Sequence, residues 1–508
     1  MESHAKQQAR PETADSLRLL NISYFCAKLK WAVIEQKLTP KQKALEINLD
    51  AGIYGTFAEI GAGQETVRHF FRAGGASKTI AKAMSAYDKD FSDAIYGKEP
   101  GNRYVTQNRL RKMLRYEVAL IEERLSRENN PGRRFFSYAN TVTTINFDKT
   151  SKGHGWVGLR FQLDEHEDYN EIVLHVKFRE NDATLQQETL GGLGVNLIYG
   201  AFNYSDNPRK MINSLYDHIP TDNLEIDMID FRGPAFEYVD NRLMSLQLVK
   251  NNMTDAVIFN AQGSNMLPAD TLYKKNIFAV RGSFRPVTLV NIDMFKRGLE
   301  MFERDWESTP EETEVLFEIT ISNLRAAGDI DERDFLHRVD ILGKLGYTVI
   351  LSNFSEYYRL IDYFTTYTNG KIGVAMGVNN LLDVFDEEYY KNLSGGILEA
   401  FGKFFRQDMR VYLYPYKDPE THELLTSKNL KVSDSLKQLY KYFKQNERIV
   451  DIEEYNPNHL EIYSRSILQK IADHTPGWEK EVPEGVAEMI KARGMFGYQE
   501  EMNLKHFS

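Results

Sequence analysis

The chain has 508 residues, 42% hydrophobic, 12% aromatic and 27% charged, the balance of a globular protein and long enough for about three domains, or two large ones. Lys and Arg number 63 against 73 Asp and Glu, a net charge of −10, which argues against a broad surface for nucleic acid or for anionic membrane. A single cysteine, Cys26, excludes an intrachain disulfide and an all-cysteine metal site.

The opening stretch MESHAKQQARPETADS has no apolar run, so no export signal is expected, and no segment reaches the about 20 apolar residues of a spanning helix. The expectation is a cytoplasmic protein with no membrane partner. Apolar residues at steps of three and four from Leu17 to Leu38 predict a helix over 16–38, stopped by Thr39-Pro40. Thr56 to Ile60 reads as a strand, followed by Gly61-Ala62-Gly63-Gln64 and a helix from Glu65. A long charged helix is expected over 102–127, ended by Asn129-Asn130-Pro131-Gly132.

The period then changes. Segments 135–147, 155–162 and 171–179 alternate apolar and polar residues and read as antiparallel strands. A Gly-rich helix is expected over 185–202, a strand over 224–229, a helix over 239–250 and a strand over 255–260. From 277 onward strands at 277–280, 315–322, 347–352, 371–376 and 409–414 alternate with helices at 291–304, 332–345, 355–368 and 396–407. That alternation predicts a parallel sheet covered on both faces. The fold class is therefore α/β: a mixed α+β N-terminal half, then a doubly wound, mostly parallel α/β domain. The expected division is 1–132 mainly helical, 133–276 α+β, 277–432 α/β, and a helical tail over 433–508 that packs on that domain or on a partner, a homo-oligomer being one arrangement.

The sharpest local signal is Phe278-Ala279-Val280-Arg281-Gly282-Ser283-Phe284-Arg285-Pro286-Val287-Thr288, running into Asn291. Strand, Gly-Ser turn and helix start place a loop where open parallel sheets bind ligands, beyond the carboxyl ends of strands. A helix N-terminus there attracts phosphate. Gly282 would let backbone approach a ligand, Ser283 and Thr288 would donate hydroxyls, and Arg281 and Arg285 would add charge. Asn353 and Ser355 follow one strand, and Gly377 to Asn380, including Asn379, follow the next. Both loops are expected on the same edge.

Gly-Ser-Phe-x-Pro-x-Thr after a strand resembles the opening motif of nucleotidyltransferases that include nicotinate-mononucleotide and phosphopantetheine adenylyltransferases. In that family the loop carries a pair of phosphate-contacting histidines. Here Thr288 and Asn291 stand at those positions. Ile462-Tyr463-Ser464-Arg465-Ser466-Ile467 loosely resembles the family's Ser/Thr-rich helix start. Over nearly its whole length the chain also resembles a bacterial family of unassigned activity. The stretches that carry this are Phe57 to Glu65, Gly194 to Ala201, Val239 to Leu246, Arg281 to Thr288 and Ser394 to Glu399. Members of that family are labelled inconsistently as TonB-dependent receptors or nicotinate-nucleotide adenylyltransferases. The receptor label conflicts with the lack of a serial amphipathic-strand pattern.

Other motifs are weaker. Gly61-x-Gly63 lacks the third glycine of a dinucleotide fingerprint, with Thr66 there, and reads as a tight turn. Gly74-Gly75-Ala76-Ser77-Lys78-Thr79 lacks the first P-loop glycine and reads as a helix break. Glycines 191, 192 and 194 predict close packing of their helix on another backbone or on a ligand, with Asn196 and Asn203 as its notable polar residues. Glu225 and Asp227 share one strand face and form either a Mg²⁺ site or a solvated edge. His154, His166 and His175 show no metal spacing, and no metal or catalytic residue is assigned. The expected function is a soluble enzyme binding a nucleotide or phosphorylated metabolite, in its most concrete form adenylyl transfer to a (nicotinate) mononucleotide with Mg²⁺. The alternative is a non-catalytic binding or assembly protein with a nucleotide-binding-like fold.

Overall fold

The computed structural model describes residues 37–326, 328–406 and 408–499. The helix expected over 16–38, with Cys26, lies outside these residues except at its last two positions, which are not helical. Among the described residues no helix is long and apolar enough to cross a membrane.

Two sheets organise the chain. The first contains β1 (Ile53–Gly61), β2 (Ile80–Ala86), β3 (Arg134–Thr143), β4 (His154–Phe161), β5 (Asn170–Phe178) and β6 (Leu224–Arg232), in the order β2-β1-β3-β4-β5-β6. β1 is parallel to both neighbours, and β3 to β6 run antiparallel in succession, as the alternating pattern predicts. Side chains alternate across β1. Phe57 faces the helices Pro40–Leu49, Thr66–Ala73 and Ala183–Asn203, and Ala58 faces the helix Gln107–Arg124. Strands from the segments 1–132 and 133–276 thus share this first sheet.

The Gly-rich helix Ala183–Asn203 packs close, as its glycines predict. A Cβ at Gly194 would lie 2.4 Å from the Thr66 hydroxyl, and one at Gly191 would lie 2.7 Å from Glu65. Asn196 on this helix accepts from the buried Lys43 ammonium at 2.8 Å, and Lys43 also reaches Asp217 at 2.8 Å. Asn203 donates to the Tyr199 carbonyl four residues back. The turn after β1 is a plain turn: Glu59 reaches from the strand to the Thr66 and Val67 amides. A carboxylate of the chain's own thus fills the helix N-terminus that a pyrophosphate would need.

The second sheet contains β7 (Ala256–Phe259), β8 (Asn265–Met266), β9 (Asn276–Arg281), β10 (Thr313–Thr320), β11 (Thr348–Ser352), β12 (Ile372–Gly377) and β13 (Met409–Tyr414). A small hairpin of β14 (Tyr416–Lys417) and β15 (Leu424–Leu425) follows, then β16 (Ile449–Asp451) returns to the sheet. The order is β16-β13-β12-β9-β10-β11-β7-β8. All five strands expected from 277 onward lie in it and are mutually parallel. The antiparallel β7 and β8 extend one edge.

Three expectations need correcting. The segment expected as strand to 322 stops at Thr320, because Thr320 and Asn323 form a capping box that starts the helix Ile321–Arg325. The tail is not purely helical: β16 pairs parallel with β13. The helix expected over 102–127 starts at Gln107, capped by the Thr106 hydroxyl, and ends at Arg124. Counting only the parallel strands in chain order, the sheet reads 3-2-1-4-5-6, and its direction of growth reverses between β9 and β12. Along β9, Phe278 and Val280 enter one core while Ile277 and Ala279 enter the other, so both faces are covered.

Glu59 has a consequence for stability. Burial pushes its carboxyl up to about 7, against the pull of the Val67 and Thr66 amides. Its folded pKa lies above its unfolded one, so the stability it contributes is present in acid and lost as pH rises through about 7. Glu59→Gln is held near the protonated form at every pH. Denaturant unfolding from pH 5 to pH 9 should therefore shift the balance toward Glu59→Gln by about 3 kcal/mol. A difference between the two proteins that does not change with pH would contradict this.

Candidate functional site

In a doubly wound sheet the strand-order reversal opens a crevice at the carboxyl ends of the two strands flanking it. Here those strands are β9 and β12, and the loop Arg281 to Thr288 leaves β9 at that point. The structure fills the crevice with protein. Arg281 donates from Nε and Nη2 to both oxygens of Glu318 at 2.7 and 3.0 Å, and from Nη1 to the Ser355 carbonyl at 3.0 Å. Its guanidinium lies 4.1 Å from the centre of the Tyr357 ring. The side chain is 7% exposed and that of Glu318 is 0% exposed. Burial opposes the charge, yet Glu318 holds the guanidinium pKa above its ordinary value.

The rest of the loop is likewise engaged. Gly282 donates to the Glu318 carbonyl, and a Cβ there would meet the Phe284 ring at 2.9 Å. Ser283 is exposed, and its carbonyl accepts from Arg338 at 3.1 Å. Arg285 donates to Asp334 at 2.6 Å, and Asp334 is shared with Arg338. Thr288 and Asn291, at the two histidine positions of the motif, close a capping box on the helix Leu289–Trp306. The Leu289 amide donates to the Glu481 carbonyl at 2.9 Å, and Trp478, Val482 and Val486 join Phe284 and Val287 in one core. The C-terminal segment therefore sits where phosphate was expected. Arg281, Gly282, Ser283, Arg285, Thr288 and Asn291 line none of five surface clefts among the described residues.

The neighbouring loops do converge. Asn380 donates to the Tyr357 hydroxyl at 2.7 Å, so the β12 loop touches the ring under Arg281, while Asn379 points to solvent and Gly377 starts the helix Val378–Val384. Asn353 and Ser355 line a cleft of about 500 Å³ at the carboxyl ends of β10 and β11, together with Ser322, Lys250, Arg325 and Arg359. Lys250 and Arg325 have no carboxylate partner among the described residues. Arg359 reaches Glu356 only at 4.0 Å and lies over the Phe354 ring at 5.5 Å. Sequence reading reached Asn353 and Ser355 but missed the cations. The available signal was a basic residue within a few positions of each strand end, on 325 and 359.

A second cluster lies on the first sheet. His154 Nδ1 is 3.2 Å from His175 Nε2, and His175 Nδ1 is 2.5 Å from Asp227 Oδ1. Lys177 bridges Glu225 at 3.0 Å and Asp227 at 3.2 Å, and donates to the Tyr367 hydroxyl at 2.7 Å. Burial opposes both charges, but the carboxylates hold Lys177 well above the usual lysine range, and His175 and Lys177 hold Asp227 below the usual carboxylate range. Glu225 and Asp227 share a face, as their spacing predicts, but Lys177 already bridges them, so they do not form an open Mg²⁺ site. Among the described residues no group of three or more His, Cys, Asp or Glu can hold a metal.

No family model and no curated protein matches the chain. Over 33% of its length it is similar to a competence-damaged protein (CinA) superfamily protein from Enterobacter cloacae, with 13% identity, TM-score 0.25 and 94% of that chain covered. A competence or damage-inducible protein from Enterobacter asburiae matches 33% of this chain and 99% of its own, at 13% identity and TM-score 0.25. The competence/damage inducible protein CihA from Agrobacterium tumefaciens matches 35% and 94%, at 15% identity and TM-score 0.22. Similarity at this level carries no argument about fold or function.

The buried pair makes Arg281 a structural residue. Arg281→Ala leaves the Glu318 carboxylate unpaired and should cost about 3–5 kcal/mol in denaturant unfolding. Replacing both partners with Met and Leu should recover most of that loss. A loss under about 1 kcal/mol for Arg281→Ala would show that the pair is solvated and the crevice open.

Proposed function

We propose that this protein binds a phosphorylated metabolite in the cleft at the carboxyl ends of β10 and β11. The observation that supports this is that Lys250, Arg325 and Arg359 line one cleft together with Ser322, Ser355 and Asn353, in a chain whose net charge is −10. Two of these cations have no carboxylate to neutralise them among the described residues. At about 500 Å³ the cleft falls within the range of small-molecule sites, roughly 300–1,000 Å³. Arginine forks and hydroxyls are suited to phosphate oxygens, and the neighbouring Phe354 stiffens Arg359 by cation–π contact.

A nucleotide is the favoured ligand within that class, because the cleft lies on the edge where doubly wound sheets receive nucleotides. Adenylyl transfer finds less support. The loop that carries the nucleotidyltransferase resemblance uses Thr288 and Asn291 as a helix cap and Arg281 as an internal ion pair. The reading is therefore binding of the phosphate group, without a transfer step assigned.

Isothermal titration with pyrophosphate, AMP and ATP at low salt tests the reading. Binding should weaken as salt is raised. Arg325→Ala and Arg359→Ala should each lower affinity about tenfold to a hundredfold, the range for one charge-assisted hydrogen bond. Absence of binding by the wild type, or affinities unchanged in both variants, would exclude this cleft.

A further inference from the structure

The relay on the first sheet opens onto a separate cleft of about 940 Å³. It is lined by Trp156, Met228, Met266 and Leu267, with His154 and Gln107 among its polar groups. Three observations there are independent of the phosphate cleft. The first is tautomeric. The Asp227 side chain is 0% exposed and its carboxylate only accepts hydrogen bonds, so a neutral His175 donates from Nδ1 and presents a bare Nε2. His154 must then donate from Nδ1 to His175, leaving its own Nε2 lone pair unprotonated. The second is the backbone. The pairing of β5 with β6 shifts register between His175 and Val176, and Asp227 is the extra residue on β6. Such a bulge re-aims a side chain and is common beside active sites. The third is an unused donor: the Gln107 Nε2, at the start of the helix Gln107–Arg124, is buried with no hydrogen-bond partner, and so is the Asn265 Oδ1 in the same cleft.

From these we infer that this cleft is a hydrolytic site for an acyl compound, an ester or amide with an apolar chain, with His154 as general base and Gln107 as donor to the acyl oxygen. In the step, His154 Nε2 takes a proton from water as the water oxygen bonds to the acyl carbon. The carbonyl π electrons move onto the oxygen facing Gln107. The tetrahedral species then collapses, the bond to the leaving oxygen or nitrogen breaks, and the leaving group takes the proton back from His154. One water is consumed and no redox partner is needed. Trp156, Met228, Met266 and Leu267 receive the apolar chain. His175 and Asp227 are positioning residues that fix the tautomer and stabilise the transient imidazolium.

The charged groups around His154 are Lys177 on the adjacent β5, Asp227 on β6 beyond it, Lys152 before its own strand, and Arg103 and Asp270 across the cleft. Burial, against the pull of Asp227, moves the His154 pKa down to about 4. The base is thus unprotonated across the neutral range.

Hydrolysis of p-nitrophenyl butyrate and of a butyryl p-nitroanilide by the full chain tests the site. The wild type should turn over at least one of them, with kcat/KM flat from pH 8 to about pH 5 and falling below it. His154→Asn, at a half-buried position, should lose at least 100-fold in kcat/KM. Gln107→Leu should lose about tenfold in kcat with KM little changed. In Asp227→Asn the amide oxygen is claimed by the Lys177 ammonium, which turns the NH2 donor toward His175 and should invert the relay. Imidazole ¹⁵N signals should then move the His154 proton from Nδ1 to Nε2 as activity falls, a change that loss of packing alone would not produce. If Asp227→Asn fails to fold, the wild-type ¹⁵N signals and the His154→Asn rate decide alone. Neither compound hydrolysed above the buffer rate, His154→Asn as active as the wild type, or a wild-type His154 protonated on Nε2 would each overturn the inference.

Discussion

One buried ion pair determines where this protein has room for a ligand. Arg281 at the end of β9 and Glu318 in β10 bond to each other twice. Around them gather the Ser352 hydroxyl of β11 at 2.6 Å, the Ser355 carbonyl, and the Tyr357 ring with Asn380 behind it. The ends of four neighbouring strands are thereby tied by one network. Burying two charges is unfavourable unless the geometry is close and the remaining lone pairs are met, and here both conditions hold. The crevice at the strand-order reversal, which an open sheet of this order would leave to a ligand, is filled from within. The C-terminal segment completes the closure by covering the start of the helix Leu289–Trp306.

The two clefts for which we propose ligands lie elsewhere. One is the cleft beyond β10 and β11, where cations stand without partners. The other is the seam between the sheets, where β4 and β5 face the stretch around β8. The two are joined by polar contacts. Asn353 bonds to Asp255 at 3.2 Å, Asp255 lies 3.9 Å from Arg179, and Arg179 lies 3.5 Å from Glu225, which holds Lys177 beside the relay.

Much of the second sheet was legible in the sequence, because its strands are buried on both faces and so appear as short apolar runs between amphipathic helices. β16 was not: Ile449 to Asp451 is too short for a period and lies in a charged tail. The membership of β1 and β2 in the first sheet was also hidden, since their partner β3 lies more than 40 residues downstream of β2 and local pattern says nothing of pairing over that distance. At the site, glycine, hydroxyl and proline marked the loop after β9 correctly as a strand-to-helix turn. They could not show that its arginines had partners at Glu318 and Asp334, 37 and 49 residues away. The histidine relay was invisible for a related reason. Its members sit on three strands, and Asp227 faces His175 only because a bulge places one extra residue on β6. Sequence spacing showed Glu225 and Asp227 on a common face, and the structure supplied the lysine between them.

We place phosphate beyond β10 and β11 and not at the closed crevice between β9 and β12. Crystals soaked in tungstate, a heavy tetrahedral oxyanion that mimics phosphate, test it most directly. An anomalous peak is expected between Arg325 and Arg359, within hydrogen-bond reach of Ser355. A peak beside Gly282, or none at the Arg325 cleft, would contradict it.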